Sequence, residues 1–236
     1  MRVWFITDLI QKGMHNCKMQ TFIFNQSNPV IKLAVEFSSA VGSIAIEVDG
    51  HFHEKTLSGV SRNQDLLLNE LDTIFRLYDV SLNQLGLIIW GIGPGSFTGI
   101  RLAASWVQSF SYAANIPVYG ISSLKNIAYQ ALSHSNKTEV SVLLDAKLSK
   151  LYFGRYKTTT KGIESIQPDQ LIHADQMPAH DYQVSDLDQH PFVPDAKTAI
   201  TITNQAIDNG TLVTQTWKDV TPQYLNNQLY HQKKDR

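Results

Sequence analysis

The residues best placed to do chemistry form a glycine-rich run, Gly91–Gly99, with the sequence GIGPGSFTG. A strand, a glycine loop and a helix in that order offer backbone N–H groups and a helix N-terminus to an anion. The run lacks the lysine of a P-loop, because Ile100 follows Gly99. Ser96 and Thr98 stand where the dinucleotide fingerprint needs Gly or Ala, and Ser96 lacks the Gly-x-Ser-x-Gly frame of a nucleophile elbow. We therefore interpret the run first as a turn that lets a strand, a helix and a neighbouring surface approach closely.

Three further charged residues could take part in chemistry. Arg101 lies in the first turn of the predicted helix, where a positive charge opposes the helix dipole, so it predicts either a compensating carboxylate or a function. Asp145 and Lys147 stand between two predicted strands. They could act as acid and base, but an Asp that closes a strand before a turn is the commoner case.

Metal and disulfide chemistry have little support in this sequence. His51 and His53 share one face of a predicted strand, but no third ligand is identifiable, which favours a surface pair. The single cysteine, Cys17, excludes an internal disulfide framework and a cysteine-based zinc cluster, and it indicates a reducing compartment.

Length and composition bound the class of protein. The chain has 236 residues, 43% of them hydrophobic, and a formal net charge of −1, which fits one large domain or two small ones. Near-neutral charge argues against a protein that grips nucleic acid through its own phosphate contacts. No apolar run is long enough to span a bilayer, and no signal-peptide pattern follows the start. Residues 1–30 are interpreted as a peripheral extension or as the product of a start codon assigned too far upstream.

The hydrophobic pattern predicts an α/β domain with a mixed sheet, as at the start of a ribonuclease H-like or actin-like half. Asp49-Gly50 is a two-residue hairpin signal between the second and third strands. The predicted strands are 31–37, 43–48, 51–57, 85–90, 117–121, 139–146 and 151–156, and the predicted helices are 62–78, 99–114 and 122–132. The predicted divisions are an extension over 1–30, an N-terminal lobe over 31–135 and a C-terminal lobe with a charged tail over 136–236.

Four stretches of the sequence resemble the TsaB (YeaZ) family. The most specific is GPGSFTGIRLAAS, which contains Gly93, Pro94, Gly95, Ser96, Phe97, Thr98, Gly99 and Arg101 and matches the family pattern G-P-G-S-F-T-G-[LV]-R. The others are KLAVEFSSAVGSIAI, LLDAKLSKLYFGRY and VTPQYLNNQLYHQKK. Together they span roughly residues 31–158 and 219–233.

The resemblance implies an actin-like ATPase (ASKHA) fold with mixed sheets in two lobes. It implies a cytoplasmic, non-catalytic subunit that binds and activates TsaD, the catalytic paralogue that makes threonylcarbamoyl-adenosine next to the tRNA anticodon. A small ATPase, TsaE, joins the pair, and the chain alone forms a homodimer. No cofactor is expected in this chain, since ATP and metal belong to the partner subunits, and tRNA is met only through the complex.

The family pairs through its first two helices, which here are 62–78 and 99–114. Helix 62–78 has an apolar stripe wider than one packing face needs, and helix 99–114 combines small residues with aromatic ones. The predicted interface contributors are Leu67, Leu71, Ile74, Leu102, Trp106 and Phe110. For the residues of helix 99–114 an ordinary place in the core is the alternative.

Departures from the family pattern weaken any nucleotide chemistry in this chain. Glu36-Phe37 replace the family's Asp-Thr, Asn63-Gln64 replace His-Ser, and Lys147 and Asn226 replace arginines. The alternative function is an ATP-using phosphotransferase or ATPase of the same fold, with Glu36 or Asp145 facing phosphate. A peptidase, an old label for relatives of this family, is disfavoured because no nucleophile frame or metal-ligand set stands out.

Overall fold

The computed structural model describes residues 30–59, 65–178, 181–185 and 192–225. The predicted extension up to residue 29, Asn63-Gln64, Asn226 and the charged tail lie outside these ranges. The strands are β1 Ile31–Glu36, β2 Val41–Val48, β3 His51–Ser58, β4 Leu85–Gly93, β5 Val118–Ser122, β6 Glu139–Asp145, β7 Lys150–Thr159, β8 Gly162–His173 and β9 Gln183–Ser185. The helices are α1 Asp65–Leu77, α2 Phe97–Ala114, α3 Ser123–Ser133 and α4 Ala196–Asp208. None of the helices in these ranges is long and apolar enough to cross a membrane.

The first sheet is mixed, as predicted, with the strand order β3-β2-β1-β4-β5. β1, β2 and β3 are antiparallel neighbours, whereas β4 lies parallel to β1 and β5 parallel to β4. Asp49 and Gly50 join β2 to β3 with φ angles of 50° and 78°, the left-handed conformations that a two-residue hairpin turn requires. The predicted hairpin is therefore confirmed.

Both faces of this sheet are buried, because successive side chains of a strand point to opposite sides. Leu33 and Val35 of β1 belong to one apolar cluster, which also holds the buried side chains of α1 and α2. Ala34, between them, belongs to a second cluster that contains the buried side chains of α3 and α4. The first sheet thus separates α1 and α2 from α3 and α4.

The second sheet has the order β8-β7-β6-β9, and β9 pairs with β6 in parallel. Val142 of β6 lies in the same apolar cluster as Ala34 of the first sheet and Ile200 of α4. The predicted C-terminal lobe, 136–236, therefore contributes a helix to the face of the N-terminal sheet. This shared core joins β1 and β4 of the first sheet to β6 of the second sheet through α3 and α4.

Candidate partner-binding face

The glycine run packs directly against the connection between β1 and β2. A Cβ added at Gly99 would lie 1.9 Å from the carbonyl oxygen of Phe37, and one added at Gly95 would lie 2.2 Å from that of Ser38. The Ser96 N–H donates to the same Ser38 carbonyl at 2.6 Å. These contacts agree with the interpretation of the run as a turn of close approach.

The same run starts α2 two residues earlier than the sequence predicts. Ser96 is the N-cap, and its hydroxyl oxygen accepts a hydrogen bond from the Gly99 N–H at 3.3 Å. Gly93, with φ of 95°, precedes Pro94 through a cis peptide bond. The turn leaves Phe97 and Thr98 exposed in the first turn of the helix.

Glu36 lies at the end of β1 beneath the glycine run, and its side chain is fully buried. Its Oε1 accepts a 2.7 Å hydrogen bond from the Ser38 N–H, while Oε2 has no partner among the described residues. A Cβ added at Gly91 would lie 1.8 Å from Oε2, so the carboxyl group fills the space that this glycine leaves open. Burial raises the pKa of Glu36 to about 7.

Arg101 stands on the surface and is held by two aromatic rings. Its guanidinium carbon lies 3.6 Å from the centroid of the Phe97 ring, and its Nε donates to the Tyr224 hydroxyl at 2.9 Å. No carboxylate pairs with Arg101 in the described part of the chain. Of the two alternatives for Arg101, a compensating carboxylate or a function, the first is therefore not found there. A cation–π contact and a hydrogen bond take its place. We call Phe97, Arg101 and Tyr224 the Arg101 cluster.

The exposed side of α2 continues from the Arg101 cluster to the end of the helix. Spacings of three and four residues place its members on one side, which we call the outer face of α2: Phe97, Arg101, Ser105, Ser109 and Tyr112. Phe97 is 56% and Tyr112 is 68% exposed. The Ser109 hydroxyl donates to the Ser105 carbonyl oxygen at 2.8 Å, so it needs no partner from outside. The middle of this face is therefore formed by small side chains, which lets another backbone come close.

Residues 212–225, which we call the closing segment, border the outer face of α2. Val118 and Gln215 exchange backbone hydrogen bonds of 2.9 and 2.8 Å, and the Gln108 side chain donates to the Val220 carbonyl oxygen at 3.0 Å. The segment thereby sets Trp217 against Tyr112, with 5.1 Å between the ring centroids. Tyr112, Trp217, Gln108, Ser109 and Lys218 line a groove of about 500 Å³.

The predicted interface residues of α1 are buried and not available at the surface for contact with a partner. Leu67, Leu71 and Ile74 are all at most 3% exposed and pack on the first sheet. This corrects their predicted role: periodicity identifies an apolar stripe but does not say which part of it the chain's own sheet covers. The apolar side chains that α1 leaves exposed are Leu66, Leu68 and Leu77.

The predicted contributors on α2 also belong to the core or its edge. Trp106 is 9% exposed and contacts Phe110 edge to face, with 3.9 Å between the centroids. Leu102 and Phe110 are half-buried against the same cluster. Trp106 is thus a core residue, since its indole is surrounded by its own chain, and the prediction that it faces a partner is corrected.

A buried polar cluster that the sequence did not predict joins the two sheets. Asp169 of β8 accepts hydrogen bonds from the hydroxyls of Ser122 and Tyr156. Burial raises the pKa of Asp169 and, together with the nearby Asp169 charge, that of Tyr156; burial lowers the pKa of the Lys125 ammonium. Its members come from β5, α3, β7 and β8, so only the tertiary fold brings them together.

The remaining candidates occupy exposed turns and strand faces. The Asp145 carboxylate accepts from the Lys147 N–H at 2.8 Å and from its ammonium at 2.5 Å, and these bonds lower the pKa of Asp145. This is the strand-closing turn, the commoner of the two roles considered for Asp145. The ring of His53 lies edge-on to Tyr78, at 5.9 Å between centroids, and His51 is exposed. No group of three metal-ligating side chains occurs within the described ranges.

A family model described as "TsaD: tRNA N6-adenosine threonylcarbamoyltransferase" matches residues 59–208. A relative from Escherichia coli (strain K12), the tRNA threonylcarbamoyladenosine biosynthesis protein TsaB, is 25% identical over 147 residues, which are 60% of this chain and 64% of the relative. A protein of the same name from Haemophilus influenzae is 29% identical over 123 residues, 52% of each chain. The matches thus span about half to two thirds of these relatives' length.

A solved structure gives the same picture of the fold. The structure described as "YeaZ from Pseudomonas aeruginosa" superposes with a TM-score of 0.71 and 20% identity, over 84% of this chain and 100% of that one. A second structure, described as an uncharacterized protein with similarity to peptidase YEAZ from the same organism, gives a TM-score of 0.73. The predicted α/β actin-like fold is confirmed.

Proposed function

Because the chain belongs to the tRNA N6-adenosine threonylcarbamoyltransferase family, and within it to the TsaB (YeaZ) group, we propose that it is a non-catalytic partner subunit. It binds and activates TsaD in the complex that makes threonylcarbamoyl-adenosine next to the anticodon of tRNA. The observation that carries this proposal is the outer face of α2. Exposed aromatic side chains border a centre of small side chains, which is the surface that a second helix needs for close packing.

The state of the glycine run supports an accessory role. The run is packed on the β1–β2 connection, and the buried Glu36 carboxyl group fills the space beside Gly91. In that position the chain's own atoms fill the space beside Gly91, Gly95 and Gly99. ATP and metal are therefore assigned to the partner subunits, with no cofactor in this chain.

The proposed assembly follows from these assignments. The chain pairs with TsaD through α1 and α2, forms a homodimer when alone, and is joined by the small ATPase TsaE in the cytoplasm. It meets tRNA only through the complex, since a net charge of −1 provides little attraction for a phosphate backbone. The exposed apolar side chains of α1, Leu66 and Leu68, supply further contact area beside α2.

Light scattering after gel filtration tests the proposal. The chain is run alone, with TsaD from the same organism, and with TsaD, TsaE and ATP together; a peak of the combined mass is expected. Ser105→Arg places a long charged side chain in the middle of the outer face and is expected to abolish that peak. Ser165→Arg, the same change at an exposed position of β8, serves as the control.

Failure to pair with TsaD, both without and with TsaE and ATP, would contradict the proposal. The ATP-using alternative would then be tested by magnesium-dependent ATP turnover of the pure chain and by its loss in Glu36→Ala.

A further inference from the structure

We propose that Arg101 recognises a carboxylate that the partner protein presents to the outer face of α2. This inference rests on the proposed function and adds the chemistry of the contact. It is carried by the geometry of the Arg101 cluster, in which a guanidinium group is fixed and exposed but has no acidic partner within the described residues.

The cluster leaves the outer edge of the guanidinium group available. The hydrogen bond to Tyr224 uses Nε, and the ring of Phe97 covers one planar face at 3.6 Å. The four N–H groups on the two terminal nitrogens make no hydrogen bond to any described residue. These paired N–H groups form a planar fork that matches the two oxygens of a carboxylate. Because Phe97 and Tyr224 already orient the guanidinium group, little side-chain entropy remains to be lost on binding.

The position of Arg101 in the helix favours an anion at this point. α2 has no acidic residue in its first turn, and a cation there is repelled by the positive end of the helix dipole. A partner carboxylate would lie beside both the guanidinium group and the helix N-terminus. The positive charge of Arg101 is therefore unfavourable in the free chain and becomes favourable when a carboxylate binds beside it.

A protein carboxylate fits this surface better than a nucleic acid phosphate. Arg101 is the one charged residue among the five that form the outer face, and its neighbours are aromatic or small. Affinity for a phosphate backbone comes from several cations acting together. A single oriented guanidinium group at the edge of an apolar face is the arrangement of a protein–protein anchor.

The test measures the affinity of the chain for TsaD by isothermal titration calorimetry at 50 and 300 mM NaCl. Arg101→Gln is expected to weaken binding at 50 mM by about 10-fold and Arg101→Glu by about 100-fold, with a reduced dependence on salt. Arg101→Lys keeps the charge but not the fork and should recover only part of the loss. Tyr224→Phe, which keeps the ring and removes the hydroxyl, should fall between the wild type and Arg101→Gln.

Arg155→Gln is the matched control, because Arg155 is engaged by Glu139 in the second sheet at 2.6 Å; it should leave the affinity within about twofold. Circular dichroism melts of each variant separate lost contact from lost folding. Arginine substitutions of acidic residues in TsaD, screened against Arg101→Glu, should restore binding at one position.

The outcomes separate this inference from the proposed function. If the wild type fails to bind TsaD, the proposed function is wrong. If the wild type binds and Arg101→Gln and Arg101→Glu bind equally well, the inference alone is overturned. It is also overturned if the variants lose only self-association, or only tRNA retention by the assembled complex, since the anion would then belong to a second copy or to RNA.

Discussion

The hydroxyl of Ser122 donates a 2.5 Å hydrogen bond to the carboxylate of Asp169. Ser122 ends β5 of the first sheet and caps α3, whereas Asp169 lies in β8 of the second sheet. The bond therefore connects the end of one sheet to the other through buried polar atoms, and Tyr156 of β7 adds a second hydroxyl to the same carboxylate. Burying a hydroxyl or a carboxylate without its hydrogen-bond partner costs folding free energy.

Asp169→Ala is expected to destabilise the protein by about 2–4 kcal/mol. The change leaves the hydroxyls of Ser122 and Tyr156 buried without their acceptor, and each such group costs about 1–3 kcal/mol. Urea unfolding followed by circular dichroism measures the loss. Asp175→Ala, at an exposed acidic residue just after β8, is the control and should change the stability by less than about 0.5 kcal/mol. Equal stabilities for the two variants would show that the cluster does not connect the sheets.

Glu36 should make the protein less stable as the pH rises from about 4.5 to about 7. Its pKa is about 7 in the folded protein against 4.5 in the free side chain, so the folded state holds the proton more tightly. Stability is then highest below pH 4.5, decreases as the pH passes through this window, and is level above it. The total contribution is at most about 3 kcal/mol.

Glu36→Gln removes this titration while keeping the size of the side chain. Urea unfolding of both proteins between pH 4.5 and 8.5 should show the variant gaining stability relative to the wild type as the pH rises. Parallel stability curves for the two proteins would contradict the raised pKa of the buried Glu36 carboxyl group.

Gly99→Ala should destabilise the protein although alanine is the better helix former. Propensity alone favours Ala by about 1 kcal/mol, but the added Cβ would lie 1.9 Å from the Phe37 carbonyl oxygen. Separating these atoms costs about 1–3 kcal/mol or more. Gly50→Ala is the contrasting variant, because Gly50 has φ of 78° and open space around it, and should cost about 1 kcal/mol from backbone strain alone. Thermal unfolding compares the two; a stabilised Gly99→Ala would exclude the close approach.

Leu71→Ala and Leu68→Ala should separate the core side of α1 from its exposed side. Leu71 is 3% exposed, so its truncation should cost about 2–5 kcal/mol. Leu68 is 51% exposed, and its truncation should cost less than about 1 kcal/mol. Chemical denaturation measures both, and gel filtration with TsaD should show weaker pairing for Leu68→Ala at unchanged fold. If Leu68→Ala destabilised the protein more than Leu71→Ala, Leu71 would have to be assigned to the partner surface instead.

The early part of the fold was predictable because its signals are local. The Asp49-Gly50 turn, the buried strand before Gly91 and the periodicity of α1 each depend on residues close in sequence. The structure extends several of these elements by one to three residues but keeps their order. Local chemistry was sufficient for these elements.

The later elements and the arrangement of the candidate site were not predictable in the same way. β8 carries polar residues on a half-exposed edge strand, and α4 becomes recognisable only through its packing on Ala34 and Ala45. Arg101 was singled out from the sequence, but its aromatic partner Tyr224 is 123 positions away. The burial of Leu67 and Trp106 likewise depends on which side of a helix meets the sheet, and periodicity does not specify this.

The long chain distance between Arg101 and Tyr224 has a consequence for synthesis on the ribosome. Arg101 is translated 123 residues before the tyrosine that fixes its guanidinium group, a delay on the order of ten seconds at ordinary elongation rates. Trp217, at the other end of the helix, is made almost as late. An unfinished nascent chain therefore carries Phe97 and Tyr112 of α2 without their later aromatic neighbours, Tyr224 and Trp217. Only chains translated through residue 224 can complete the Arg101 cluster.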